Sequence, residues 1–143
     1  MHFALIERHL AIMGASYGDL PVHAGLWQSA QETAHDVGAR LAIVPMVLEA
    51  RGLDVTPATQ ERVRDQGDSR GAQILQRILD DEIRHVAAGA RHFEHYCRTH
   101  GKEPKNHWKM LVKRHFKGTL RPPFNDSARL AAGLSRDLYT GVV

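Results

Sequence analysis

The sequence predicts an all-α protein. Apolar residues recur every three to four positions through each long segment, and helix-capping and helix-stopping residues stand between those segments. No stretch reads as a convincing strand, and there is no internal repeat or low-complexity tract.

The first helix is expected from Met1 to about Gly14, with His2, Leu5, Ile6, His9, Leu10 and Met13 on one face. No capping residue precedes it, so it reads as a helix entered partway along. Gly18, Asp19, Pro21 and Gly25 mark a connection. A second long helix is expected from Leu26 to Arg51, stopped by Gly52 and bent at Pro45, which frees a carbonyl one turn back. Its Gly38, Ala42, Pro45 and Glu49 share a face, where small residues beneath a carboxylate let a neighbouring helix approach. Thr56-Pro57 predicts the start of a short third helix ending near Gly67. Asp68 or Ser69 then caps a run reaching Cys97. An amphipathic helix follows over about Glu103 to Lys117, with Trp108, Leu111 and Val112 inward and Lys105, Lys109 and Lys113 outward. Leu120 to Phe124, holding Pro122-Pro123, must be extended. Asn125 or Asp126 caps a last short helix ending near Gly133, and the tail beyond it is expected to be poorly ordered. Trp27 and Trp108 are expected as core anchors, and Asp80 with Arg84 as an exposed helix pair.

A chain of 143 residues suits one domain with a core that needs no disulfide, and the single Cys97 excludes an intrachain one. Residues 1–118 are read as the helical core with its basic helix, and 119–143 as an extended segment and short helix of the same domain. No secretory leader or membrane-length apolar run is present, so a soluble, cytoplasmic protein with no membrane partner is expected. Residues 1–100 carry a net charge of −3 and residues 101–143 a net of +6. That basic end is compatible with a phosphate-bearing partner such as RNA, although a solvated helix face explains it as simply.

The chemistry concentrates at Asp80-Asp81-Glu82-Ile83-Arg84-His85. Helical spacing puts Leu75, Ile78, Leu79, Glu82, His85, Val86, Gly89 and Phe93 on one face, so Glu82 and His85 are expected to point into the core. A buried carboxylate needs a partner, a proton or a metal ion. A Glu and a His three apart can hold one cation from the same side. Glu49 lies eighteen residues before Gly67 and Glu82 fifteen after it, so a reversal at Gly67 brings the two carboxylates to similar heights. The bland alternatives are a hydrogen-bonded or ion pair for Glu82 and His85, and an exposed pair with Arg51 for Glu49. The histidines at 9, 35, 92, 95, 100 and 115 are read as surface or satisfied core residues.

The segment Val44-Pro45-Met46-Val47-Leu48-Glu49-Ala50-Arg51-Gly52-Leu53-Asp54-Val55-Thr56-Pro57, followed by Asp81-Glu82-Ile83-Arg84-His85-Val86, resembles a ferritin-like family, domain of unknown function 455. Tyr17 to Pro21, Gly25-Leu26-Trp27 and Leu120 to Asn125 are similar to it too. The resemblance implies a ferritin-like helical bundle with extra C-terminal helices and a carboxylate-bridged two-metal site, related to di-iron oxidases and hydroxylases. It implies Glu49, Glu82, His85 and His2 as metal ligands, His2 matching the His of a first Glu-x-x-His. That motif's Glu, and a first bundle helix, would fall before Met1, so the family pattern reads here as N-terminally truncated. Iron is the expected metal, with manganese or zinc as alternatives, at partial or absent occupancy. A homo-oligomer, a dimer covering the bare bundle face, is the expected partner arrangement. Two further readings stand beside the metalloprotein: a non-catalytic self-association module, and an RNA-binding accessory resembling tRNA-modifying hydroxylases.

Overall fold

A computed structural model describes residues 1–141, and Val142 and Val143 lie outside the described residues. The architecture is all-α, with helices α1 (His2–Ile12), α2 (Gly25–Glu32), α3 (Val37–Ile43), α4 (Ala50–Asp65), α5 (Ser69–Thr99), α6 (Pro104–His115), α7 (Asp126–Ala131) and α8 (Arg136–Tyr139). A π-helical segment, Val44–Glu49, joins α3 to α4 without a break. No helix among the described residues is long and apolar enough to cross a membrane.

The predicted second helix divides differently. It breaks after α2, where Asp36 turns its carboxylate onto the Ala39 N–H at 3.1 Å and caps α3. From there one helix runs on past Gly52, Thr56 and Pro57, so neither the stop at Gly52 nor the start at Thr56 occurs. Pro57 cannot donate to the carbonyl of Leu53, one turn back. Asn125 supplies that bond instead, its Nδ2 donating to the Leu53 oxygen at 3.2 Å. The chain then reverses at Gly67, whose φ of +88° favours glycine, and Asp68 caps α5 through the Gly71 N–H at 2.7 Å.

The continuous helix and α5 form the antiparallel pair at the centre. Their contact is close because the expected small residues do face α5. A Cβ on Gly89 would stand 2.4 Å from the Pro45 ring, and one on Gly38 would stand 2.4 Å from the Tyr96 ring. Ala39, Ala42, Ile43, Met46, Val47, Ala50 and Leu53 meet Val86, Ala90, Phe93 and Cys97 there. Trp108, Leu111 and Val112 of α6 cover them as expected, and Trp108 Nε1 donates to the Ala42 carbonyl at 3.2 Å, just before Pro45.

The C-terminal part is built in rather than loose. Leu134 and Tyr139 are buried, which corrects the expected disorder over the described part of the tail. The fastening is ionic. Arg129 reaches Asp54 with two bonds, Nε at 2.8 Å and an Nη nitrogen at 2.7 Å, and their side chains are only 1% and 0% exposed. The guanidinium also lies against the rings of Phe124 and Tyr139, at 5.0 and 4.5 Å from their centroids. The Asn125 N–H gives Asp54 a further bond at 3.0 Å. Burial and its bond to Asp126 push the Tyr139 hydroxyl up to about 12.

The N-terminal part differs. Neither α1 nor α2 contributes a buried residue. Trp27, expected in the core, is 66% exposed because α2 lies over the α3 and π-helical region without sinking into it.

Candidate metal centre

Glu49 closes the π-helical segment, and Glu82 and His85 sit on α5 across the antiparallel contact. An i+5 turn widens a helix locally and is often found where a helix presents a functional side chain. Burial and then the charge of Glu82 raise the Glu49 carboxyl above the usual carboxylate range, and His85 partly offsets this. Glu49 therefore lies near enough to Glu82 and His85 to feel their charge.

The third element is α1. His2 Nε2 lies 3.1 Å from Asp81 Oδ2, and its Nδ1 lies 3.5 Å from Glu82 Oε1. Asp81 thus holds the Nε2 edge of the ring and leaves its Nδ1 edge on the Glu82 side. His85 Nδ1 lies 3.4 Å from Glu82 Oε2, out of line for a hydrogen bond, and the two imidazole centroids are 5.6 Å apart. Glu82 Oε2 is buried without a partner.

The expected dry interior is not what surrounds these groups. The His85 side chain is 55% exposed and those of His2 and Glu82 are 22% and 21% exposed. Val86, Gly89 and Phe93 are covered, whereas this end of the α5 stripe lies under the first turn of α1 and stays partly open. Nor is the Arg84 partner Asp80. Asp81, the most buried carboxylate of α5, takes it, with Arg77 Nε adding a bond at 2.9 Å. The bonds from Arg77, then His2 and Arg84, hold the Asp81 carboxyl well below the usual range. Reading along the chain missed Asp81 and Arg77. Their spacing with Arg84, four and then three residues, is the signal that identifies one helical stripe.

In kind, two carboxylates and two imidazoles suit iron, manganese or zinc. In spacing, ligands about 2.0–2.2 Å from one ion stand about 3–3.5 Å from each other, which the Glu82 contacts approach. Among the described residues, however, no three such side chains converge on one point at ligating distance. Glu49 does not pair with Arg51, whose guanidinium goes to Asp54 and to the carbonyls of Arg121 and Pro123. On the basic helix Lys105 is tied to Asp137 at 2.5 Å, Lys109 is half-buried and Lys113 is exposed.

A family model described as protein of unknown function (DUF455) matches residues 1–140. The chain belongs to this family. A relative of the DUF455 chain from Haemophilus influenzae, described as an uncharacterized protein, is 41% identical over 139 residues. The alignment takes in 94% of this chain and 47% of the relative, so the chain spans about half of that protein's length. No solved structure matches it.

Proposed function

We propose that this DUF455 chain carries one side of a ferritin-like carboxylate metal centre, with Glu49, Glu82, His85 and His2 as its ligands. The observation that carries the reading is the position of His2. Its Nε2 lies 3.1 Å from the buried Asp81 carboxylate, which turns the Nδ1 edge of the ring toward Glu82, whose Oε2 has no partner. Metal-binding histidines are oriented in this way, one ring nitrogen anchored to a carboxylate and the other left for the ion.

Glu49 and Glu82 supply negative charge from the two antiparallel helices, and His2 and His85 supply neutral donors from α1 and α5. A redox-active ion such as iron would bring oxidative chemistry with dioxygen. The protein's own part is to hold the donors, to keep the Glu49 and Glu82 carboxylates near one another on facing helices, and to leave His85 open to incoming molecules. Four ligands fall short of the six of a two-metal bundle, so the remaining groups are assigned to protein beyond these 143 residues, a second copy or the rest of a longer chain. Support for such a covering comes from Phe3, Ile6, Ile12, Met13, Leu20 and Trp27, large apolar side chains exposed across residues 1–27.

The test is anaerobic titration of the purified chain with Fe(II), Mn(II) and Zn(II), with metal content and light scattering measured on the same samples. Saturable binding lost in Glu82→Gln and His85→Ala, with metal per chain rising with the dimer fraction, is the expected result. Absence of binding by all three ions, at any oligomeric state, refutes the reading.

A further inference from the structure

Beside the candidate ligands lies an open cleft of about 550 Å³, walled on one side by Met1 to Phe3 and on the other by Arg77, Asp81, Arg84 and His85. We propose that this cleft binds a small anionic molecule through one carboxylate or phosphate group held by Arg77 and Arg84. It takes the cleft as the substrate side of the metal centre and, in that respect, rests on the reading above.

The sequence places these groups before any packing is considered. Positions 77, 81 and 84 form an i, i+4, i+7 stripe, so Arg77 reaches forward and Arg84 back along the helix to one carboxylate. Asp81 is buried to 4% side-chain exposure, and it is gripped by Arg77, Arg84 and His2 at once. One carboxylate needs one cation. Among the residues lining the cleft two arginines stand against the single carboxylate of Asp81, while Asp80 and Glu82 flank that lining without being part of it. Each arginine has five N–H donors in a rigid fork, and each gives one of its nitrogens to Asp81. The outer donors remain on largely exposed side chains lining the cleft. Asp81 thus acts as a positioning residue that fixes two forks before a ligand arrives, and such forks match the planar oxygens of a carboxylate or the edge of a phosphate.

The location gives the site its meaning. His2 and His85, two of the four candidate ligands, line the same cleft. An oxyanion seated on the arginines would lay the rest of its molecule against the metal-facing imidazoles. The volume falls within the range of small-molecule sites, so the fitting ligand is a small organic acid or phosphate ester.

The experiment uses the full chain, with ¹H–¹⁵N spectra recorded on titration with acetate and with inorganic phosphate. Each titration is run with EDTA and again with Zn(II). Shifts centred on His2, Arg77, Arg84 and His85 are expected, weakened roughly tenfold or more in Arg77→Gln/Arg84→Gln, because charge-assisted forks are lost. A preference for acetate assigns a carboxylate and a preference for phosphate a phosphate ester. Arg77→Lys/Arg84→Lys keeps the charge and covers the case in which the glutamine variant does not fold; it should bind several-fold more weakly than wild type. Shifts absent, centred on Lys109 and Lys113, or unchanged in whichever of these variants folds overturn the proposal. Anion binding by a chain that takes up none of Fe(II), Mn(II) and Zn(II) leaves the cleft standing and removes the metal reading, whereas metal binding without anion shifts removes the cleft alone.

Discussion

Asp54 and Glu49 stand five residues apart on one continuous helix, and the fold treats them in opposite ways. Asp54 is fully buried and fully answered, with two bonds from Arg129, one from the Asn125 N–H and a contact with Arg51. Glu49 is half-buried and raised in pKa by burial and by a second carboxylate. Across from it Glu82 keeps a buried oxygen with no partner. A charge that serves the fold is surrounded by its complement, because removing it from water otherwise costs too much. A charge left short of partners within the same few turns is one that the fold does not need for itself.

The sharpest way to break this contrast is to remove the answer to Asp54. Arg129→Met strips the buried Asp54 of its two-bond partner, leaving only the Asn125 N–H and the longer Arg51 contact, and should cost about 3–5 kcal/mol in urea unfolding. The double variant Asp54→Leu/Arg129→Met should regain much of that loss, since no buried charge remains. A single-variant loss below about 1 kcal/mol would mean that Asp54 finds water or another cation, and the distinction between the two carboxylates would lapse.

A smaller effect tests the contact that sets the two sides facing. In Gly89→Ala the new methyl meets the Pro45 ring, and forcing the helices apart should cost about 1–3 kcal/mol and weaken any metal binding with it. Gly52→Ala is the control, for its added methyl meets open space in a helix. It should be neutral or stabilising by about 0.5–1 kcal/mol in the same thermal melts.

Much of this was legible in the residues because it is local. The caps at Asp68 and Asn125, the reversal at Gly67 and the small-residue face of Gly38 and Pro45 follow from neighbours a few positions away. The height match of Glu49 and Glu82 needed only the helical rise. What could not be read depends on distant partners. Pro57 stays inside a helix because Asn125, far along the chain, takes its place as donor to the Leu53 carbonyl. Trp27 is outside because α2 packs on its neighbours without burying any of its residues. Asp81 is harder still. In a run of three acids, periodicity favoured Glu82 as the inward residue, and only the arrival of α1 and two arginines makes Asp81 the buried one.

The smallest expected effect is also the most telling, because its sign is unusual. In EDTA-treated protein, Glu49→Gln should not destabilise. A carboxyl whose pKa is raised on folding subtracts stability at pH values above both its folded and unfolded pKa. That subtraction fades as pH falls through the folded value, because the native state takes up the proton first. The variant should therefore be equal to or slightly more stable than wild type at neutral pH, by at most about 1 kcal/mol given the half-exposed site. Wild type should close the gap on acidification, which thermal unfolding across pH 4 to 8 would register. A carboxylate whose pKa is lowered on folding would give the reverse. If Glu49→Gln instead unfolds several degrees earlier at neutral pH, Glu49 is holding the helices together, and its place among the ligands has to be given up.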